Sequence, residues 1–276
     1  MSEPRIRGLP DVRDREGLRS HVLAHGPFDP ATNERIYDER FARAPRHLFR
    51  AVDDRYGIST LRLCDVGCGY GENLVFSAPG SFGLELEPEC VAFATALGLD
   101  VRPRDVLHDD LSELPKAQAV WCSALLEHVE STHVLLRRLH FLLEPNGLLA
   151  VYVPTIPVLP QLSRLPKLGP LVGGYRHSDH VNAFVPSTLR FACERAGFET
   201  LQVSALLPGP LAAIERFPPV SRLIGLTVYV GRAIPDWDYP ENAARRAVDG
   251  GFDYVGWASR SLARGDDEVR ETEAEN

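Results

Sequence analysis

The 276-residue sequence predicts an α/β fold built on a doubly wound, mostly parallel sheet. Three observations predict it. From Leu61 onward, short apolar runs alternate with helix-like stretches, the pattern of strands joined by crossover helices. Gly67, Gly69 and Gly71 stand at every second position between an apolar run and a helical segment. Glu85 closes the next apolar run, eighteen residues after Gly67.

The elements follow in chain order. Residues 1–30 are charged and broken by Pro and Gly, so they read as loosely ordered, with their arginines as a solvated face. They hold no apolar stretch of the kind a secretory leader needs. Between Asn33 and Tyr56, Ile36, Tyr37, Phe41, Leu48, Phe49, Val52 and Tyr56 recur at helical spacing, and Pro45 divides the stretch into two short helices. Residues 1–56 are therefore an N-terminal helical extension. The strands fall at Leu61–Val66, Ser81–Glu85, Asp100–Arg102, Ala119–Cys122, Leu148–Pro154, Phe198–Ala205 and Leu226–Arg232. Helices fall at Pro88–Leu97, Ser131–Leu143 and Pro186–Ala196, the last started by Pro186-Ser187 and stopped by Gly197. Together, residues 57–235 form the main domain.

Thr155–Val185 is irregular, with Pro157, Pro160, Pro166 and Pro170 inside it. A loop of ~30 residues in a compact domain is usually a lid or binding element. In the tail, 236–276, Trp237, Phe252 and Trp257 predict partial packing, and the acidic end from Gly265 predicts disorder.

Composition narrows the function. Hydrophobic residues make up 44% and charged residues 25%, so the chain has the material for a core and is not disordered as a whole. The net charge is −8, which argues against a broad nucleic-acid-binding face. The five cysteines form no CxxC pair and have no zinc-finger spacing, so they read as reduced, buried thiols of a cytoplasmic protein. No apolar run approaches the ~18 residues of a membrane span.

Glycines at every second position let a backbone turn sharply and approach a ligand closely. A carboxylate at the end of the next strand can accept both hydroxyls of a ribose. A dinucleotide would need G-x-G-x-x-G/A here, with its pyrophosphate on the loop, but the third glycine position is Glu72. A glutamate there is bulky and repels phosphate. A ligand with a ribose, a positive charge and no phosphate fits better, and S-adenosylmethionine is such a ligand.

Asp65-Val66-Gly67-Cys68-Gly69-Tyr70-Gly71 resembles the first motif of class I S-adenosylmethionine-dependent methyltransferases, and Gly83-Leu84-Glu85-Leu86-Glu87-Pro88-Glu89 resembles their second. Leu125-Leu126-Glu127-His128-Val129 resembles the LEHV segment of the small-molecule, ubiquinone-biosynthesis type. Leu143-Glu144-Pro145-Asn146-Gly147 resembles the turn before the fifth strand, and Ala196-Gly197-Phe198 the lead into the sixth. The five motifs stand in order across residues 60–205.

The resemblance implies a Rossmann-like, seven-stranded sheet with helices on both faces and an antiparallel last strand. It implies S-adenosyl-L-methionine as cofactor, with Asp65, Gly67, Gly69 and Gly71 under its methionine part and ribose. Glu85 would bind the ribose hydroxyls, with Leu86 beside the adenine. Asp105 and the Val106 amide would face the adenine amino edge, and Ser123 the sulfonium.

Three departures stand out. Gln118 replaces an Asp that is common at the start of the fourth strand. Asn146 replaces a glycine, and Asn tolerates a left-handed backbone. Ala124 replaces the acid that precedes the Glu-His pair by three residues and belongs to a metal-dependent site. No metal is therefore expected.

The candidate catalytic residues are His180, in the stretch Tyr175-Arg176-His177-Ser178-Asp179-His180, and His128. An imidazole with an ordinary pKa near 6.5 suits a general base for a hydroxyl. Read structurally instead, His180 orders the following helix, and the Glu127-His128 pair supports the sheet. The expected acceptor is a small molecule. No nucleic acid is expected, because Ser123-Ala124-Leu125-Leu126 is not the motif of amino-group base methylation. The leucines of the lid leave peripheral contact with a membrane or lipid-like substrate open. Two alternatives also stay open: a non-catalytic module that keeps the cofactor, and a nucleotide-dependent oxidoreductase.

Overall fold

The computed structural model describes residues 5–45, 47–157, 176–205, 226–235 and 237. Most of the predicted lid (158–175) lies outside them, as do Phe252, Trp257 and the terminal acidic segment. Residues 1–235 form one compact unit and residues 236–276 a second.

The N-terminal part is helical from early on. α1 spans Arg15–His25, α2 Pro30–Ile36, continued by a π-helical turn Tyr37–Phe41, and α3 His47–Tyr56. Asp14 caps α1 by accepting the Gly17 N–H at 2.7 Å, and Asp29 caps α2 through the Ala31 and Thr32 N–H groups. The expectation of loose order is overturned for the described residues 5–30: Ile6, Leu9, Val12, Leu18 and Val22 are all buried. Nor are the arginines simply solvated. Arg7 donates to the Ser59 hydroxyl and the Phe76 carbonyl, and Arg15 to the carbonyls of Phe41, Ala42 and Ala44. The predicted break at Pro45 does separate two helices.

The sheet contains β1 (Leu63–Val66), β2 (Phe82–Glu85), β3 (Val101–Pro103), β4 (Ala117–Ser123), β5 (Leu143–Pro154), β6 (Phe198–Ala205) and β7 (Leu226–Ala233). Their order across the sheet is β3-β2-β1-β4-β5-β7-β6. The β1–β2, β1–β4, β2–β3 and β4–β5 pairs are parallel, while β7 runs antiparallel to both β5 and β6. β5 starts earlier than the sequence predicts. Leu143 pairs with Ala117 and the ladder resumes at Ala119 with Leu148, so the Pro145-Asn146-Gly147 turn is a bulge within the strand. Asn146 takes the left-handed backbone, φ 64°, that its side chain tolerates.

Alternation along the strands divides the core. Cys64, Val66, Val120 and Cys122 face a cluster with Leu135, Leu136, Leu139 and Leu142 of α5 (Thr132–Leu142) and Leu189, Ala192 and Cys193 of α6 (Pro186–Arg195). Leu63, Ala119 and Trp121 face the opposite side, where Phe49 and Val52 of α3 pack. A third cluster joins α1, α2 and the π turn to α4 (Pro88–Ala96), to Cys68 within the glycine loop and to Leu74, Val75 and Phe76 just beyond it. The N-terminal helices thus form part of the floor under the glycine loop. β1 and β4 meet where the strand order reverses, the place at which open α/β sheets bind ligands outside their carboxyl ends. Among the described residues no helix is long and apolar enough to cross a membrane.

Phe41 is fully buried, with its ring 6.0 Å from that of Phe93. Phe41→Ala is expected to cost ~3–5 kcal/mol in denaturant unfolding. A loss below ~1 kcal/mol would mean that the N-terminal segment is not part of the core.

Candidate active site

The glycine loop leaves β1 with three left-handed residues: Gly67 at φ 70°, Gly69 at φ 56° and Gly71 at φ 82°. At Gly71 the need for glycine is also steric, since a Cβ there would stand 2.7 Å from Leu99 Cδ1. The loop is tied to β2 twice. The Gly67 N–H donates to the Leu84 carbonyl at 2.9 Å, and the Gly69 N–H donates to Glu85 Oε2 at 2.7 Å. The other Glu85 oxygen accepts the N–H groups of Leu86 and Glu87, at 2.8 and 3.0 Å. Three backbone donors therefore fix this carboxylate. Beside it, Leu86 is 60% exposed, an apolar side chain left open at the strand tip.

Two further acids lie under the loop. Asp65 is buried at the end of β1, and Asn73 Nδ2 donates to its Oδ2 at 3.3 Å. Burial pushes the Asp65 carboxyl up to about 8, and the nearby Glu72 and Glu85 charges add to this while the Asn73 hydrogen bond opposes it. Glu72 is also buried, with Arg40 of the π turn 3.9 Å from its carboxylate. The Arg40 guanidinium lies over the Tyr70 ring at 5.6 Å, and the Tyr70 hydroxyl donates to Glu89. The sequence marked Glu72 as hostile to phosphate but gave no signal for Arg40 or Asn73. Their contacts depend on how the N-terminal helices and the loop fold back.

Asp105 and Val106 follow β3, the strand beside β2. The Asp105 carboxylate accepts the Leu107 N–H and pairs with His108 at 2.8 Å, and this hydrogen bond holds its carboxyl below the usual range. Val106 is buried, and Arg138 from α5 donates to its carbonyl. Ser123 ends β4 opposite Tyr152 of β5. The next residue, Ala124, has φ 52°, a left-handed conformation that non-glycine residues rarely adopt and that clusters at functional sites. Leu125 then returns over the loop, with its Cδ2 3.8 Å from where a Gly67 Cβ would stand.

The two predicted histidines come together although they are far apart in sequence. The Val181 and Asn182 N–H groups both donate to the Glu127 carbonyl, at 2.9 and 3.0 Å, and the Asn182 side chain donates to the carbonyls of Leu126 and Val129. This pins residues 180–182 to the turn after β4. The rings of His128 and His180 meet edge to face, 4.7 Å between centroids. Asp179 bonds the His177 ring and lies 3.6 Å from His128 Nδ1. The His177 hydrogen bond holds the Asp179 carboxyl low. Glu127, beneath them, is buried and its carboxyl is raised by burial. Tyr152, missed by the sequence reading, has its hydroxyl pushed up to about 12 by burial and by the Glu127 charge, so it stays protonated at neutral pH.

A family model described as a methyltransferase domain matches residues 34–203. No protein with a curated description matches the sequence. Among solved structures, a chain from the complex of the Haloferax volcanii Trm112 methyltransferase activator with its candidate methyltransferase partner aligns at a TM-score of 0.54 and 18% identity. That alignment covers 74% of this chain and 94% of the other. A candidate S-adenosylmethionine-dependent methyltransferase from Listeria monocytogenes aligns at 0.51 and 13% identity, covering 67% and 97%. The N-methyltransferase NodS from Bradyrhizobium japonicum, in complex with S-adenosyl-L-homocysteine, aligns at 0.50 and 12% identity, covering 80% and 99%. At such identities these likenesses speak for the fold alone.

The raised Asp65 carboxyl has a consequence for stability. Between its ordinary pKa of 3.8 and about 8, the folded chain holds a proton that the unfolded chain releases. Stability from this group is therefore present at low pH and is lost as pH rises toward 8. Asp65→Asn should be more stable than the wild type, by a margin that grows between pH ~5 and ~8.5. Melting curves at several pH values check this, and a margin independent of pH would contradict it.

Proposed function

The chain belongs to the methyltransferase-domain family, and on that premise we propose that it transfers the methyl group of S-adenosyl-L-methionine to a small-molecule acceptor. The observation that carries the reading is the gathering of Asp65, Glu72 and Glu85 around the glycine loop. The Glu72 and Glu85 carboxylates repel a pyrophosphate and attract a ligand with a sulfonium and an ammonium group, while the buried Asp65 keeps its proton until pH approaches 8. The same feature disfavours the oxidoreductase alternative.

We assign the ribose hydroxyls to Glu85, whose carboxylate three backbone N–H groups already orient. The adenine is assigned to the exposed face of Leu86 and to Asp105 and the Val106 amide. The methionine part is assigned to the loop of Gly67, Gly69 and Gly71 above Asp65, and the sulfonium to the neighbourhood of Ser123.

Methyl transfer is an in-line displacement. The acceptor atom bonds to the methyl carbon as the carbon–sulfur bond breaks, with its electron pair passing to sulfur. Holding the two reactants ~3–3.5 Å apart and aligned supplies ~7–11 kcal/mol. If the acceptor atom is a hydroxyl oxygen, its proton must also leave. We assign the role of proton acceptor to His180 and His128, whose rings meet edge to face with Asp179 beside His128. Oxygen, nitrogen and carbon acceptors all stay open, and the search starts with phenols, hydroxy acids and lipid-like molecules.

The test is production of S-adenosylhomocysteine from S-adenosylmethionine with a panel of these acceptors. Turnover with at least one acceptor, lowered ~10²–10⁴-fold by His180→Ala, is the expected result. Cofactor binding with no turnover on any acceptor would favour a non-catalytic module. In calorimetry, Glu85→Ala should weaken cofactor binding by ~1–3 kcal/mol, from lost hydrogen bonds to a charged group. Unchanged affinity in a folded variant would remove Glu85 from the site.

A further inference from the structure

We infer that Glu127, His128 and His180 form a binding site for a divalent transition-metal cation of the zinc type, with Asp179 and His177 at its rim. The sequence reading expected no metal, because Ala124 stands where the resembled motif has an acid. The structure supplies a different third donor, His180, from a segment about fifty residues further along the chain. One donor atom from each of Glu127, His128 and His180 lies within 4.8 Å of the others. His177, Asp179 and His180 meet the same condition, so two donor groups share His180. Bonds of ~2.0–2.2 Å to a tetrahedral ion need only a modest contraction of such a group.

A second, independent observation points to a cation. Glu127 is 1% exposed, and its Oε2 is buried without a hydrogen-bond partner among the described residues. A buried carboxylate oxygen that accepts no hydrogen bond is costly, and buried charges are normally paired or coordinate metals. The backbone around the group is already fixed, because the Glu127 carbonyl receives the N–H groups of Val181 and Asn182. The outer contacts are also those of a ligating imidazole: His128 Nδ1 lies 3.2 Å from the Asp179 carbonyl, and the Asp179 carboxylate holds the His177 ring. Two imidazoles and one carboxylate suit zinc, nickel or cobalt, whereas magnesium and calcium prefer oxygen donors throughout.

The site rests on the acceptor-end reading only for its consequence. An imidazole nitrogen that ligates a cation cannot also take the acceptor's proton, so the cation and proton transfer compete for one cluster. The test needs neither cofactor nor acceptor. The full chain, treated with a chelator and dialysed, is titrated with zinc chloride in competition with a chromophoric chelator. One equivalent of zinc should bind, and His180→Ala and Glu127→Gln should each weaken it at least about tenfold. His177→Ala, on an exposed side chain, keeps the test open should a buried substitution unfold the protein; it should weaken binding by a smaller factor. Absence of saturable binding, equal affinity in His180→Ala, or magnesium binding as tightly as zinc would each overturn the inference. Failure of the methyltransferase reading would be seen separately, as a chain that binds zinc but not S-adenosylhomocysteine.

Discussion

The carboxyl edge of the sheet depends on one side chain accepting from two loops. Glu85 takes the Gly69 N–H from the loop after β1 and the Leu86 and Glu87 N–H groups from the end of its own strand. Charge-assisted bonds of this kind are among the stronger hydrogen bonds in proteins. They hold the glycine loop in its left-handed course and present one carboxylate in a fixed direction. Asp65 and Glu72 lie close by, and burial first, with the Glu72 and Glu85 charges adding to it, raises the Asp65 carboxyl. Arg40 offsets part of that charge from outside. A cationic ligand would offset the rest, which is why the site reads as one for a sulfonium rather than a phosphate.

Much of this was legible in the sequence because it is local. The glycine spacing, Glu85 at a strand end, and Asn146 in its turn each follow from a few neighbouring residues. All seven strands overlap the apolar runs that predict them, β5 starting five residues early, with the antiparallel β7 inserted between β5 and β6. The failures are non-local. α1 presents only Leu18 and Val22 to the core, too few apolar positions to show as a helical stripe against eleven mostly polar residues. Arg7 and Arg15 look like solvated charges until the carbonyls they serve are brought to them by the fold. The meeting of His128 with His180 rests on Asn182 grasping the turn after β4, a contact across more than fifty positions that no periodicity encodes.

The two halves of the site differ in how they are built. The half proposed for the cofactor is made of backbone groups and side chains at the ends of β1, β2 and β3. The half proposed for the acceptor is made of side chains on a turn and a returning segment, with Ala124, at φ 52°, between the two in the chain. Catalysis by positioning needs the first half to stay fixed while the second is adapted to its substrate. The charge environment follows the same division. Acids dominate under the glycine loop, and imidazoles dominate at the rim, where a proton or a cation must be accommodated.

The most direct test of the account is a calorimetric titration of the intact chain with S-adenosylhomocysteine, with NAD as the control. The account predicts saturable one-to-one binding of the first and none of the second, with a matching rise in melting temperature, as expected for a ligand of the native state. Binding of NAD, or of neither molecule, would contradict the claim that the acidic glycine loop is a site for a phosphate-free, cationic cofactor.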